Sequence, residues 1–217
     1  MYQKLRVMRS FLLFWGIKMR DILYEAAVEY KKLEKIIYEI IVGRKGKSYT
    51  LMLHFSPDSF FHLAGLQHLT DIIFPSTNKE RIYKEILAKN ITIDTIKGSV
   101  FYSENHIEER ITNLYLLKEI IESNSATYLI NKNKYAQFTT IKANFLCEYV
   151  KQSIFYLFIA VEKKSPKFEN ECRGCSFFKK HITDYTNGTA KTTTLLIKKR
   201  YTDTNDEKII YKNPSYK

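Results

Sequence analysis

The sequence predicts an α+β protein in which helices come first and pack on a mostly antiparallel sheet. Three observations lead to this prediction. Apolar residues recur with the helical period over most of the stretch from residue 21 to residue 123, whereas the period becomes extended from Ala126 onward. The chain is 45% apolar and 14% aromatic, which is enough for a substantial core. Its 217 residues include only seven Gly and four Pro, which argues against a long linker.

The first half is predicted to be helical apart from one strand. Residues 21–42 form the first predicted helix, because their apolar positions follow i, i+3 and i+4 spacing. A basic turn follows, and residues 48–55 alternate partly, as a strand does. The remaining helical segments are predicted over residues 56–74, 79–89 and 104–123, with a short turn or helix between 90 and 98.

Gly65 interrupts the second of these helices. A glycine inside a helix costs about 1 kcal/mol relative to alanine. We interpret Gly65 as a point where another element approaches closely, and a local defect is the alternative.

The second half is predicted to form the sheet. Residues 126–131 and 135–139 suit a hairpin, and residues 141–150 and 153–161 suit two further strands. The last of these is too apolar for an edge strand and should be central. Two more strands joined by a polar loop are predicted within 175–200, and Lys208–Lys212 forms a final short strand.

The formal net charge of +12 is concentrated in two short segments. Residues 1–20 carry five basic side chains and no acidic one, and residues 173–200 carry seven against the single acid Asp184. The second segment, with its hydroxyl groups and His181, suits binding of a phosphodiester. The alternative is a basic, solvated outer face of the sheet.

Residues 1–18 read as a basic and apolar leader that precedes a natural start at Met19. Its apolar run, Phe11–Ile17, is far below the ~20 residues that span a membrane, so stable membrane insertion is not expected. A basic amphipathic membrane contact is the alternative. The odd number of cysteines, three, and the lack of a convincing export signal favour a reducing cytoplasm.

Several strings occur in an order that resembles a known family. They are RKGKSYTLMLHF from Arg44, FFHLAGLQHLTDI from Phe60, and CSFFKKHITDYTNGTAKTTTLLIKK from Cys175. Together they resemble the fourth family of phage Barnase–EndoU–colicin–RelE-like (PBECR) nucleases, over roughly Met19 to Tyr211. This chain departs from the family pattern in having Gly188-Thr189 in place of Gly-Gln, and in an extra cysteine, Cys172.

The resemblance implies a single BECR-like domain over residues 19–212 with endoribonuclease activity that needs no metal or other cofactor. It also implies an origin in a phage or mobile element, which would suit a toxin-like role. The expected partners are RNA, with tRNA as one candidate, and an inhibitor or antitoxin protein. The main alternative is a non-catalytic RNA-binding protein on the same scaffold.

Cleavage of RNA without a metal requires a base for the 2′-OH, an acid for the 5′-oxygen and cations for the phosphorane. His62, in the FFHLAGL string, is the first candidate for proton transfer, ahead of His54, while His68 and His181 suit surface roles. The other catalytic candidates are Tyr185, Thr186, Lys191 and Thr194. The candidate RNA contacts are Arg44, Lys45, Lys97, Arg173 and Lys198.

Cys172 and Cys175 have the spacing of half a zinc site. A second such pair is missing from the sequence, so no metal is assigned and two ordinary strand cysteines are the preferred interpretation.

Overall fold

The computed structural model describes residues 20–131, 141–162 and 170–217, and it has an α+β architecture. The leader and the second strand of the predicted hairpin, residues 135–139, lie outside these ranges. The helices of the described residues are α1 (Ile22–Lys31), α2 (Pro57–Leu63), α3 (Lys79–Leu87), α4 (Ile93–Ile96), α5 (Phe101–Glu104), α6 (Ile107–Asn113) and α7 (Leu116–Glu122). A 3-10 turn, Leu66–His68, follows α2. None of these helices is long and apolar enough to cross a bilayer.

Nine strands form one mixed sheet. They are β1 (Ile36–Arg44), β2 (Lys47–His54), β3 (Thr127–Ile130), β4 (Phe145–Val150), β5 (Ile154–Val161), β6 (Glu171–Lys179), β7 (Ala190–Lys191), β8 (Thr193–Tyr201) and β9 (Glu207–Lys212). The strand order is β7-β3-β4-β5-β6-β2-β1-β8-β9. Neighbouring strands are antiparallel except β2 and β6, which are parallel. The sheet is therefore mixed rather than purely antiparallel, and β5 is flanked on both sides, as predicted.

The sheet curls back towards itself. Only Thr192 separates β7 from β8 in the chain, yet these strands belong to opposite parts of the strand order. The backbone N–H and the hydroxyl of Thr192 both donate to the carbonyl oxygen of Tyr128 in β3, at 3.1 and 2.7 Å. These bonds bring the two distant parts of the sheet together.

The helix predicted over residues 21–42 is wrong in its second half. Asp21 caps α1 by accepting from the backbone N–H groups of Leu23 and Tyr24, but the helix ends at Lys31. Ile36–Arg44 is instead a strand in which alternate residues from Ile36 to Val42 are buried. Closely spaced isoleucines fit both the helical and the strand period. This segment forms a strand because β1 is paired on both edges, by β2 and β8.

The helices are not gathered ahead of the sheet, because β1 and β2 lie between α1 and α2. The predicted helix over residues 104–123 is also broken into shorter pieces. His106, with φ of 52°, lies in the left-handed region and separates α5 from α6. An α-helix cannot continue through that conformation.

The two strands of the basic segment do not form a pair. They are β6 and β8, and both β2 and β1 lie between them in the sheet. Ion pairs also neutralise much of the segment: Lys180 binds Asp184 at 2.7 Å, and Lys199 binds Glu122 at 3.0 Å. Lys198 binds both Glu39 and Glu207 at 3.0 Å. Ion pairing therefore accounts for this part of the charge.

Two apolar clusters hold the fold together. The larger cluster packs the helices against one face of the sheet and includes Tyr30, Phe60 and Leu117. The smaller cluster consists of Leu129, Leu146, Tyr156, Phe158 and Phe178. Tyr185, from the loop after β6, packs against the smaller cluster.

Candidate active site

A cavity of about 1000 Å³ opens between α2, the start of α6, and β6 with its following loop. It gathers four of the chain's five histidines and four cationic side chains, and none of its described lining residues is Asp or Glu. The polar and charged side chains that line it include His62, His68, His106, His181, Arg110, Arg173, Lys142, Lys179 and Tyr185. Its positive lining suits an anion.

His62 lies near the end of α2, which begins with Pro57 at its first turn. Its Nε2 atom is 2.7 Å from the Nζ atom of Lys79, the first residue of α3. A lysine ammonium can only donate, so the imidazole accepts and carries its proton on Nδ1. Burial, and then the charges of Lys79 and Arg173, lower the pKa of His62 below its usual value. His62 is therefore a neutral imidazole at neutral pH.

Arg110, in α6, is a cation whose hydrogen bonds go to backbone carbonyl groups. Its Nε donates to the carbonyl oxygen of Asn105 at 3.2 Å, and Nη1 donates to that of Phe177 at 3.3 Å. The guanidinium lies 4.8 Å from the ring centre of Phe178. No carboxylate of the described residues forms an ion pair with it. Burial lowers the pKa of Arg110 to about 10, and a half-buried charge of this kind favours an anionic ligand.

Gly65 gives Arg110 its position. The residue has φ of 77°, and a β-carbon there would lie 2.6 Å from Cδ of Arg110 and 3.1 Å from Cδ1 of Ile107. Only glycine satisfies both the backbone conformation and the close contact. The interpretation of Gly65 as a point of close approach is confirmed.

His106 and His181 form a stacked pair at another wall of the cavity. Their ring centroids are 3.9 Å apart with an interplanar angle of 12°. Nε2 of His181 lies 2.9 Å from Oε1 of Glu109, and Oε2 of Glu109 binds Nζ of Lys179 at 3.3 Å. Glu109 thus holds one nitrogen of His181 while His106 covers its ring. This arrangement orients an imidazole for proton transfer.

The loop that carries Tyr185 is anchored by Asp184. This carboxylate accepts from Lys180 at 2.7 Å, and from the backbone N–H and hydroxyl of Thr186 at 2.9 and 2.6 Å. These bonds, with that to Lys180 the largest cause, hold the pKa of Asp184 well below its usual range. Tyr185 packs edge-on against Phe158 and Phe178, with distances of 5.3 and 5.4 Å between the ring centroids.

A smaller cavity of about 350 Å³ adjoins the first. Lys179 lines both cavities, and Glu109 lies at their boundary. The smaller cavity is also lined by Tyr115, which is 61% exposed, by Phe155, and by the amide side chains of Asn113 and Gln152. The exposed ring of Tyr115, beside a cationic groove, suits stacking of a planar group.

The structure divides the residues that the sequence singled out. His62, Arg173 and Tyr185 line the large cavity together. Thr186 adjoins Tyr185, but its hydroxyl donates to Asp184.

The other predicted site residues lie outside the described lining of this cavity. Arg44 donates from Nε to the carbonyl oxygen of Lys191 at 3.2 Å, and Thr194 pairs with Val42 near the same end of β1. Lys45 forms the turn between β1 and β2, and Lys97 ends α4. Lys198 is engaged in its two ion pairs.

Cys172 and Cys175, which the sequence predicts to be ordinary strand cysteines, belong to different surroundings. Cys172 is buried in the larger cluster, and its thiol donates to the carbonyl oxygen of Asn170 at 3.2 Å. Cys175 packs against the smaller cluster, and its thiol lies 3.4 Å from the carbonyl oxygen of Phe158. Burial raises the pKa of Cys172 to about 12 and that of Cys175 to about 11. Both are neutral thiols at neutral pH, which is the state expected of ordinary strand cysteines.

Several residues that line the large cavity, or that contact its lining residues, were not identified from the sequence. Arg110, Glu109 and Lys79 lie in helices where a charged residue normally indicates a solvated face. His181 lies in a loop, and nothing local distinguishes it from an exposed histidine. Gly65 was the one local signal of this site. It indicated that another element approaches closely, but it did not identify Arg110 as the partner.

The chain matches the model of a known protein family. Neither a curated protein nor a solved structure matches the chain. The family described as phage-Barnase-EndoU-ColicinE5/D-RelE like nuclease4 (PBECR4) matches residues 22–214. This range covers nearly every residue of the fold described above and confirms the family that the sequence strings resemble. A cationic cavity lined with imidazoles agrees with nuclease activity on a nucleic acid. The chain belongs to the PBECR4 family of nucleases.

Proposed function

We propose that the chain is an endoribonuclease that works without a metal ion, and that the large cavity is its active site. One observation carries the proposal: four histidines and four cationic side chains line this cavity, and no carboxylate of the described residues does. Mg²⁺ sites in nucleases depend on carboxylate ligands, which this lining does not offer. Histidines and arginines are sufficient for RNA, because RNA supplies its own nucleophile, the 2′-OH.

Arg110 and Arg173 hold the scissile phosphate in this proposal. Arg110 enters the cavity as a desolvated guanidinium without an ion pair among the described residues, so an anion would relieve its unfavourable burial. The side chain of Arg173 is 44% exposed and forms ion pairs with Asp58 and Glu162, at 3.7 and 3.4 Å. These longer contacts leave Arg173 able to turn to a phosphate.

His62 and His181 perform the two proton transfers. Neutral His62 takes the proton from the 2′-OH, the 2′-oxygen bonds to phosphorus, and the bond from phosphorus to the 5′-oxygen breaks. His181, held by Glu109 and covered by His106, gives a proton to the leaving 5′-oxygen. The products are a 2′,3′-cyclic phosphate and a 5′-hydroxyl. Tyr185 and Thr186 border the phosphate, and Arg44, Lys191 and Thr194 contact RNA further along the surface.

The contact between Lys79 and His62 favours a second candidate, RNA binding without turnover. While Lys79 donates to Nε2 of His62, the lone pair that a base needs is occupied. Catalysis therefore requires Lys79 to turn towards the phosphate when RNA binds. If Lys79 stays in place, the cavity holds RNA but does not cut it.

The experiment is RNA cleavage by the purified full chain in excess EDTA. We expect cleavage with 2′,3′-cyclic phosphate ends, and none of an oligonucleotide with 2′-deoxyribose at each position. His62→Ala should lower kcat by about 10²-fold or more with RNA binding unchanged. Binding of RNA without cleavage by the wild-type chain would favour the second candidate. Cleavage only with added Mg²⁺ would refute the proposed mechanism.

The biological setting is part of the same proposal. The description of the family as phage nucleases supports an origin in a phage or another mobile element. A nuclease of that origin would act on host RNA in the cytoplasm, tRNA being one candidate, and would need an inhibitor or antitoxin protein in the cell that makes it. Co-expression with neighbouring genes, scored by cell growth, tests this setting.

A further inference from the structure

The sheet is joined at its centre by a short contact. Strands β7-β3-β4-β5-β6 form one antiparallel part, and β2-β1-β8-β9 form the other. These parts meet where β2 runs parallel to β6, in a register of only three residue pairs, Met52–Glu171, Leu53–Cys172 and His54–Arg173. His54 and Glu171 therefore belong to different parts of the sheet and lie at the junction between them.

Three potential ligand atoms meet at this junction. Nδ1 of His54 is 3.5 Å from Oε1 of Glu171, and a ligand atom of each of His54, Glu162 and Glu171 lies within 4.8 Å of the other two. The side chains of His54 and Glu171 are 24% and 18% exposed. Glu162, just after β5, is held beside them because its backbone N–H donates to the carbonyl oxygen of Glu171 at 2.8 Å.

We propose that His54, Glu162 and Glu171 bind one Zn²⁺ ion, with water as the fourth ligand. An imidazole with two carboxylates supplies nitrogen and oxygen ligands in the number that an open zinc site uses. Two half-buried carboxylates side by side also repel each other, and a divalent cation removes that repulsion. Arg173 also contacts Glu162, at 3.4 Å.

This site lies beside the proposed active site, because Glu162 contacts Arg173 at 3.4 Å, and it has a structural role. None of its three ligands lines the large cavity. A Zn²⁺ ion bound there links β2 to β6 and to the end of β5, across a junction of three residue pairs. Binding to the folded chain alone must then stabilise the fold.

The test measures Zn²⁺ binding by calorimetry and thermal unfolding, after metal is removed with EDTA and the chelator is exchanged away. Histidines of the large cavity could also bind zinc, so the full chain with His62→Ala and His181→Ala serves as the background. In this background we expect one Zn²⁺ per chain. Tm should rise by about 5–10 °C when Zn²⁺ exceeds its Kd about 100-fold.

Adding His54→Ala to this background should weaken Zn²⁺ binding at least tenfold and abolish the rise in Tm. His68→Ala is the matched control and should leave both unchanged. Glu162→Gln, at a strand end, provides a second variant if His54→Ala impairs folding, and it should have the same effect.

Three results would overturn the assignment. They are no rise in Tm with Zn²⁺ in the background chain, binding that His54→Ala and Glu162→Gln leave unchanged, and an equal rise in Tm with Mg²⁺. The last would show a site that does not use the imidazole, because Mg²⁺ prefers oxygen ligands.

Discussion

The side chain of Arg110 crosses directly over the backbone of Gly65, so closely that a β-carbon at residue 65 would lie 2.6 Å from Cδ of the arginine. The most desolvated cation of the large cavity therefore depends on a residue without a side chain. The two residues lie on different elements, the turn after α2 and the helix α6.

Gly65→Ala should both destabilise the fold and displace Arg110. Alanine at a positive φ, with a clash against Arg110, should lower the free energy of unfolding by about 2 kcal/mol or more. Urea denaturation measures this change. Gly98→Ala is the matched control, because no atom lies within 4 Å of its β-carbon, and its effect should stay within about 0.5 kcal/mol. Equal effects of the two substitutions would contradict the contact.

Arg110→Lys should impair catalysis although it keeps the charge. Lysine lacks the planar fork that donates to Asn105 and Phe177 and still faces the cavity. We expect kcat/KM for RNA to fall about 100-fold and binding of inorganic phosphate to weaken in parallel. The same change at Arg81, an exposed residue of α3, should alter neither quantity. Full activity of Arg110→Lys would remove Arg110 from the phosphate site.

Lys79→Met should shift the pH dependence of cleavage. Burial, Lys79 and Arg173 lower the pKa of His62, so removal of Lys79 should raise it towards its ordinary value. Since the neutral form acts as the base, the acidic limb of kcat/KM should move to higher pH. NMR titration of the His62 ring protons measures the pKa directly.

The lowered pKa of His62 should also make the stability of the folded chain depend on pH. A histidine whose pKa is lowered by folding binds its proton more readily in the unfolded state, so stability falls as pH drops through the ordinary histidine pKa. Lys79→Met should make this loss smaller. Lys84→Met, on the same helix and paired with Glu80, is the control and should leave the pKa of His62 in place. An unchanged pKa in Lys79→Met would refute the electrostatic role of Lys79.

Tyr115→Ala should raise KM for long RNA substrates but not for short ones. We expect the exposed ring beside the smaller cavity to stack on a base next to the cleaved bond, a contact worth about 1–3 kcal/mol. KM should therefore rise about tenfold for an oligonucleotide and stay constant for a dinucleotide that ends in the large cavity. Ile73→Ala, at a residue 97% exposed that lines neither cavity, is the control. A KM that is unchanged for both substrates would exclude Tyr115 from binding.

Local pattern predicted those elements whose period admits one interpretation. The run from Ile154 to Val161 is apolar throughout and forms the central strand β5, flanked by β4 and β6. Asn78 begins α3, with its side chain accepting from the backbone N–H of Arg81. The prediction of a helix over Ile36–Arg44 was wrong because its isoleucines match both periods. Pairing with β2 and β8 makes this segment a strand.

The site residues were likewise predicted only in part, because local pattern does not show which of them share a cavity. His62 and Arg173 were identified and share the cavity, whereas Lys191 and Thr194 were also identified but lie outside its described lining. The sheet places two strands between β6 and β8. Strand order is a property of non-local packing, and adjacency in the chain does not reveal it.

By itself the sequence determined the nuclease family, the α+β class and the elements with an unambiguous period. These depend on residue order and on side-chain chemistry within short segments. Only the tertiary structure decided which charges are paired and which side chains share the cavity. His62, Arg110 and His181 come from segments that no local pattern connects, and the packing of α2 and α6 against β6 brings them together. The physical reason is that secondary structure follows from neighbours in the chain, whereas an active site follows from contacts between residues distant in it.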